Sequence, residues 1–227
     1  MLRIDIISVV PELLESPLSH SIPGRAVRKG LVQIQVHDLR QYGLGPRQSV
    51  DDYCYGGDAG MVMMVEPVYN CIMDLKARRD YDEVIYMAPD GEILTQGIAN
   101  ELSLCQNIIL LCGHYKGIDE RIREHLVTRE ISVGDFVVSG GEIPAALLAD
   151  SIIRLVPGVL TDETSALSDS FQDGLVSPPV YTRPASFNGW DVPEVLLSGN
   201  PKLIRAWQDE QAIQRTRERR PGLLEQQ

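Results

Sequence analysis

The stretch SVGDFVVSGGEIPAA, Ser132 to Ala146, decides how this chain is read. A β-like run (Phe136, Val137, Val138) stops at the paired glycines Gly140 and Gly141, and a helix restarts at Glu142. Adjacent glycines let backbone approach a ligand with no Cβ in the way. Pro144 fits a first helical turn, where its missing N–H is no loss. Ile143, Leu147, Ile152 and Leu155 then supply helix-spaced apolar positions up to a stop at Pro157-Gly158. The reading is strand, glycine elbow, helix, and by shape alone the elbow either cradles a ligand or simply turns the chain.

Outward from the elbow, short apolar runs alternate with helical patterns. Ile4–Val10, Val32–Val36, Val84–Met87 and Ile108–Cys112 read as strands, with Pro67–Arg79, Thr95–Leu104 and Ile118–Leu126 as helices between them. This alternation predicts an α/β layer with a largely parallel sheet. Ligands of such sheets gather at the carboxyl ends of strands. Three of those ends are rich in turn residues: MAPDG at Met87–Gly91, CGHYKG at Cys112–Gly117, and the elbow. They are expected to converge on one pocket. No GxGxxG follows the first strand and no GxxxxGK[ST] occurs, so the ordinary dinucleotide-fold and P-loop readings fail.

At 227 residues, 44% hydrophobic and 23% charged, the chain holds one or two globular domains. No apolar run nears the roughly 18 residues that span a bilayer. MLRIDIISVV, with Asp5 inside a short apolar run, reads as a buried first strand and not as a secretion signal. Cys54, Cys71, Cys105 and Cys112 form no CxxC pair and read as buried thiols of a cytoplasmic protein; the four histidines show no metal-ligand spacing.

The net charge of −11 argues against a polyanionic partner until its distribution is considered. From Ser177 onward seven Lys/Arg stand against six Asp/Glu, and Arg215, Arg217, Arg219 and Arg220 crowd near the end. Such a run is either a solvated helix face or a nucleic-acid surface. Thr161–Ser170 is a polar linker pattern, after which prolines punctuate a second unit. There Pro201 opens a helix with Ile204, Trp207 and Ile213 on its apolar side, ending before Pro221-Gly222. The expected division is 1–160, a linker over 161–176, and a small mainly helical domain over 177–227.

Six ordered motifs occur together: VDDYCYGGDAGMVM (Val50–Met63), LCGHYKGIDERI (Leu111–Ile122), the elbow, RLVPGVL (Arg154–Leu160), DSF at Asp169 and YTRP (Tyr181–Pro184). With them the chain closely resembles, nearly end to end, the bacterial tRNA (guanine-N1-)-methyltransferases of the TrmD type, in the SPOUT superfamily. The resemblance implies methyl transfer from S-adenosyl-L-methionine to N1 of the guanosine at tRNA position 37. It also implies an α/β domain with a C-terminal trefoil knot, which periodicity cannot foresee because knots are so rare. The implied partners are tRNA and a second copy of the chain in a homodimer, with no membrane or DNA. The family allows for magnesium, for which no ligand cluster is visible here. Other targets for a knotted RNA methyltransferase, and a catalytically silent RNA-binding protein, are the alternative readings.

By the same resemblance the cofactor is held by Tyr86, Met87, Ala88 and Pro89, by Gly113 and Tyr115, and by Ile131, Ser132, Val133, Gly134, Phe136, Val138, Gly140, Gly141 and Pro144. Asp169 matches the family's base and Arg154 its cationic partner. Guanine holds a proton on N1, so methylation there needs a base, and positive character near O6 to stabilise the charge that develops. On residue pattern alone Asp169 also suits a local turn, and Arg154 an i, i+4 pair with Asp150. Two positions depart from the family pattern: Lys116 stands where many relatives have Glu, and Asp58 where Gly is common.

Overall fold

The computed structural model describes residues 1–57, 59–161 and 169–225. The chain divides into two compact units, Met1–Thr161 and Asp162–Gln227. In the first, in chain order, are β1 (Leu2–Ser8), α1 (Glu15–Ser19), α2 (Ser21–Arg28), β2 (Val32–Asp38), β3 (Asp51–Tyr53), β4 (Met61–Met63), α3 (Val65–Arg78), β5 (Glu83–Ile93), α4 (Gln96–Leu102), β6 (Asn107–Cys112), α5 (Glu120–His125), β7 (Arg129–Ser132) and α6 (Glu142–Ile153).

Five strands form one sheet in the order β2-β1-β6-β5-β7, and every pairing in it is parallel. Alternate residues of a strand face opposite sides, so an all-parallel sheet needs apolar residues at both parities. Strand β6 meets this: Ile108, Leu110 and Cys112 enter one core, Ile109 and Leu111 the other. Helices α1, α2, α4 and α6 cover the first core, α3 and α5 the second. The expected α/β class and parallel sheet are found; β3 and β4, a short antiparallel hairpin inside VDDYCYGGDAGMVM, were not anticipated.

The elbow differs from its sequence reading. Phe136–Val138 form no strand; the last sheet strand is β7, and these three residues are exposed. Gly134, at φ +149°, starts a turn in which Phe136 N–H donates to its carbonyl at 2.8 Å, pulling the chain off the sheet. Helix α6 starts at Glu142 as expected but ends at Ile153, and its buried face is Ala145, Leu148, Ala149, Ile152 and Ile153. Ile143 and Leu147 are left 57% and 48% exposed.

Strand β5 also runs beyond Met87. Its register jumps so that both Met87 and Glu92 oppose Ile131, and the residues between them bulge out. Among the cysteines, Cys71 and Cys112 are buried, whereas Cys54 and Cys105 are only half-buried.

The second unit has a two-residue hairpin (Ser186–Phe187 with Trp190–Asp191), a short helix Glu194–Leu197 and a helix Pro201–Arg219. Asn200 caps the long helix, its side chain accepting from the Lys202 and Leu203 amides. Ala212 and Thr216 are its buried residues, Ile204 and Trp207 are half-buried, and Ile213 faces out at 42% exposure.

Candidate active site

The carboxyl ends of β5, β6 and β7 border a cavity of about 570 Å³. Its walls are the β5 bulge, the loop after β6, and the chain from β7 into α6, the three segments singled out in the sequence. Glycines set its dimensions. A Cβ on Gly113 would lie 2.8 Å from Tyr86 Cε2 and 2.9 Å from its hydroxyl; one on Gly141 would lie 2.7 Å from Gly113 N and 2.8 Å from Cys112 Cα. Real Cβ atoms do not approach that closely, so these positions hold backbone where any side chain would fill the space. Gly117, at φ +126°, turns the β6 loop back, and its carbonyl accepts from Met63 N–H at 3.0 Å.

Tyr86 forms the floor at 4% exposure. Burial pushes its phenol up to about 12, against the opposing pull of Arg123. The Arg123 guanidinium lies 5.5 Å from the Tyr86 ring centroid, donates to Glu130 Oε1 at 2.8 Å and reaches Asp90 Oδ2 at 2.8 Å. One arginine thereby ties α5 to β7, the β5 bulge and the pocket floor. Its hydrogen bond holds the Asp90 carboxyl below the usual carboxylate range. Sequence reasoning missed Arg123, because nothing in its spacing marks it.

Fourteen of the fifteen residues expected around the cofactor line this cavity. Tyr86, Met87, Ala88 and Pro89 come from β5; Gly113 and Tyr115 from the next loop; Ile131, Ser132, Val133, Phe136, Val138, Gly140, Gly141 and Pro144 from the elbow. Gly134 does not line it. Its amide and carbonyl are both engaged by the Ser132 hydroxyl, at 3.2 and 3.1 Å, so it shapes the turn behind the wall. Lys116 lines the cavity, and its stem lies where a Gly60 side chain would be, 2.9 Å from an ideal Cβ. Asp58 lies outside the described residues.

The two residues proposed for chemistry fall in different units. Arg154 is the C-cap of α6, its amide donating to Asp150 O at 3.2 Å. Asp169 is half-buried, and its carbonyl accepts from Gln172 N–H at 3.4 Å. In the second unit Arg217, Arg219 and Arg220 are exposed and Arg215 half-buried, with the Arg220 guanidinium 5.3 Å from the Phe171 ring centroid. Among the described residues no cluster of three or more His, Cys, Asp or Glu is arranged to hold a metal ion, so no residue is assigned to magnesium. No described helix is long and apolar enough to cross a membrane.

The family described as tRNA (Guanine-1)-methyltransferase TrmD matches residues 2–226. Proteins named tRNA (guanine-N(1)-)-methyltransferase from Flavobacterium johnsoniae and Bacteroides thetaiotaomicron are each 58% identical, over 99% of this chain and 100% of their own lengths. One of the same name from Cytophaga hutchinsonii is 59% identical over 99% of this chain and 95% of its own. With a match across essentially its whole length, residues 2–226, the chain belongs to the tRNA (Guanine-1)-methyltransferase TrmD family.

Proposed function

We infer that this protein is a tRNA (guanine-N1-)-methyltransferase using S-adenosyl-L-methionine, and we propose the guanosine at tRNA position 37 as its target. The observation that carries the reading is the cavity. At about 570 Å³ it falls within the roughly 300–1,000 Å³ of small-ligand pockets. Its Gly113, Gly140 and Gly141 walls present bare backbone for the close contacts a nucleoside needs, and Val133, Val138 and Pro144 supply apolar surface. Bound there, the cofactor supplies an electrophilic methyl group. Asp169 removes the proton from guanine N1, and Arg154 stabilises the negative charge building toward O6. The useful place for Arg154 is on the nucleobase, where the charge develops.

The family's trefoil knot is proposed for the segment through β6, β7 and α6. The Gly141 amide donating to Gly113 O supports it, since the chain after β7 returns to the loop after β6. Residues 177–227 are proposed as a helical tRNA-binding domain, supported by the exposed Arg217 and Arg219 on the long helix. A homodimer acting in the cytoplasm completes the reading. Ile143 and Leu147, one turn apart and exposed on α6, suit a subunit contact.

The test is transfer of labelled methyl to tRNA transcripts differing only at positions 36 and 37, followed by nucleoside analysis. N1-methylguanosine from transcripts with guanosine at 37, and none with adenosine there, is expected. Label in a ribose 2′-hydroxyl or another base would shift the reading to a different RNA target, and no label with retained tRNA binding to a silent binding protein.

A further inference from the structure

Glu142 is charged by type, yet it is 1% exposed at the first turn of α6, beside the cavity but not part of its lining. One oxygen is satisfied: Oε1 accepts from the Ser8 hydroxyl at 2.7 Å, and that hydroxyl accepts from Val10 N–H at 2.9 Å. The helix N-terminus also favours a negative group there. Oε2 has no hydrogen-bond partner. Facing it at 3.7 Å, beyond hydrogen-bond reach, is His114 Nδ1, which also has none. A side chain on Gly140 would collide with both atoms, so this elbow glycine lies directly over the gap. His114 in turn lines the cavity and meets the Tyr115 ring edge-on, centroids 5.0 Å apart. Two buried polar atoms left unpaired and facing each other destabilise the arrangement, and a shift of under about 1 Å would join them.

We propose that Glu142 is a positioning residue for the cofactor: when the cavity is filled, its Oε2 accepts a hydrogen bond from His114 Nδ1–H, locking the 113–117 loop against the glycine elbow. The contact links the end of β1 through Ser8, the start of α6 and the Tyr115 wall. An imidazole that carries its proton on Nδ1 donates this bond to the carboxyl oxygen left open. The groups around the imidazole fit this assignment. Glu142 faces it from α6 and Tyr115 from its own loop, while Met63 of β4 accepts the His114 amide through its sulfur at 3.3 Å. Cys112, at the end of β6, is neutral because burial pushes its thiol well above its ordinary value. Lys116, Arg123, Glu120 and Asp90 line the same cavity.

The inference rests on the cofactor reading above, and calorimetry separates the two. S-adenosylhomocysteine is titrated into the full chain near neutral pH, and the His114 ring N–H is followed by proton NMR in the free and the filled protein. Wild type is expected to gain a downfield, solvent-protected ring N–H resonance on binding. Glu142→Gln and His114→Asn are each expected to bind about tenfold more weakly, the scale of one lost hydrogen bond to a charged group, and to lack that resonance. The double variant should be no weaker than either single one, because the two act as a pair. If Glu142→Gln fails to fold, His114→Asn carries the test alone. Binding by wild type without the new resonance, or the same resonance in Glu142→Gln, overturns the proposal. No binding of S-adenosylhomocysteine by folded wild type overturns the cofactor reading itself.

Discussion

Gly141 and Gly113 are joined backbone to backbone: the Gly141 amide donates to the Gly113 carbonyl at 2.7 Å, and a Cβ on Gly141 would sit 2.7 Å from Gly113 N. The contact brings the entry to α6 against the exit of β6, and two walls of the cavity depend on it. Gly141→Ala is therefore expected to separate them, since the colliding atoms are backbone and cannot swing aside. Calorimetry should show S-adenosylhomocysteine affinity reduced at least a hundredfold. Affinity within threefold of wild type would mean the walls do not need this approach.

Asp5 is expected to be a main determinant of stability. It is fully buried and accepts from Arg3 Nε at 2.6 Å, His37 Nε2 at 2.7 Å and the Tyr81 hydroxyl at 2.8 Å. Burial by itself would raise its carboxyl, but the bonds from His37, Arg3 and Tyr81 prevail and hold it well below the usual carboxylate range. Asp5→Asn leaves the buried Arg3 cation without its carboxylate, at a cost of about 3–5 kcal/mol in urea unfolding.

The same group gives a pH signature. Its folded-state value lies below the unfolded one, so its contribution is fully present above the ordinary value of 3.8 and is lost as pH falls further, toward the folded value. Wild-type stability attributable to Asp5 should hold from pH 7 to about 4.5 and decline below about 4. Asp5→Asn should lack that part of the decline. Equal acid slopes for the two proteins would refute the assignment.

Asp169→Asn is expected to leave cofactor affinity near wild type and to slow single-turnover methyl transfer by about a hundredfold or more, the usual scale for a positioned base. Arg154→Ala should likewise reduce the transfer step more than cofactor binding. If Asp169 serves the partner's cavity in a homodimer, refolding Asp169→Asn together with Gly141→Ala makes about half the dimers mixed. Each mixed dimer then has one sound site, restoring about a quarter of wild-type activity. Activity near zero, with mixed dimers confirmed by mass spectrometry and both variants folded, would place each site within one chain.

The four terminal arginines should separate into two kinds. Arg217 and Arg219 are exposed on the long helix, whereas Arg215 is half-buried and Arg220 lies over Phe171. Arg217→Gln with Arg219→Gln should weaken tRNA binding and flatten the slope of log affinity against log salt by up to about two, with little change in melting temperature. An unchanged slope would return these residues to an ordinary solvated face.

Residue order alone settled the α/β class, because β5 and β6 are apolar at both parities and only a sheet covered on both faces uses such strands. It also determined the start of α6 at Glu142 and the three loops that wall the cavity, since glycines, prolines and strand ends are local signals. The family motifs added single-residue expectations for a cofactor, and of those fifteen residues fourteen line the cavity while Gly134 stands off the wall. The features that no local signal marks are non-local ones. Phe136–Val138 have a strand's composition but line a cavity, because β7 already occupies the place beside β5. Ile143 and Leu147 have core spacing yet face outward, because Ala145, Leu148 and Ala149 let α6 approach the sheet by its other side. Arg123 over the Tyr86 ring, and Glu142 opposite His114, join segments distant along the chain. Spacing along a chain cannot mark such pairs, because the physics that creates them is the shared low-dielectric interior into which both residues fold.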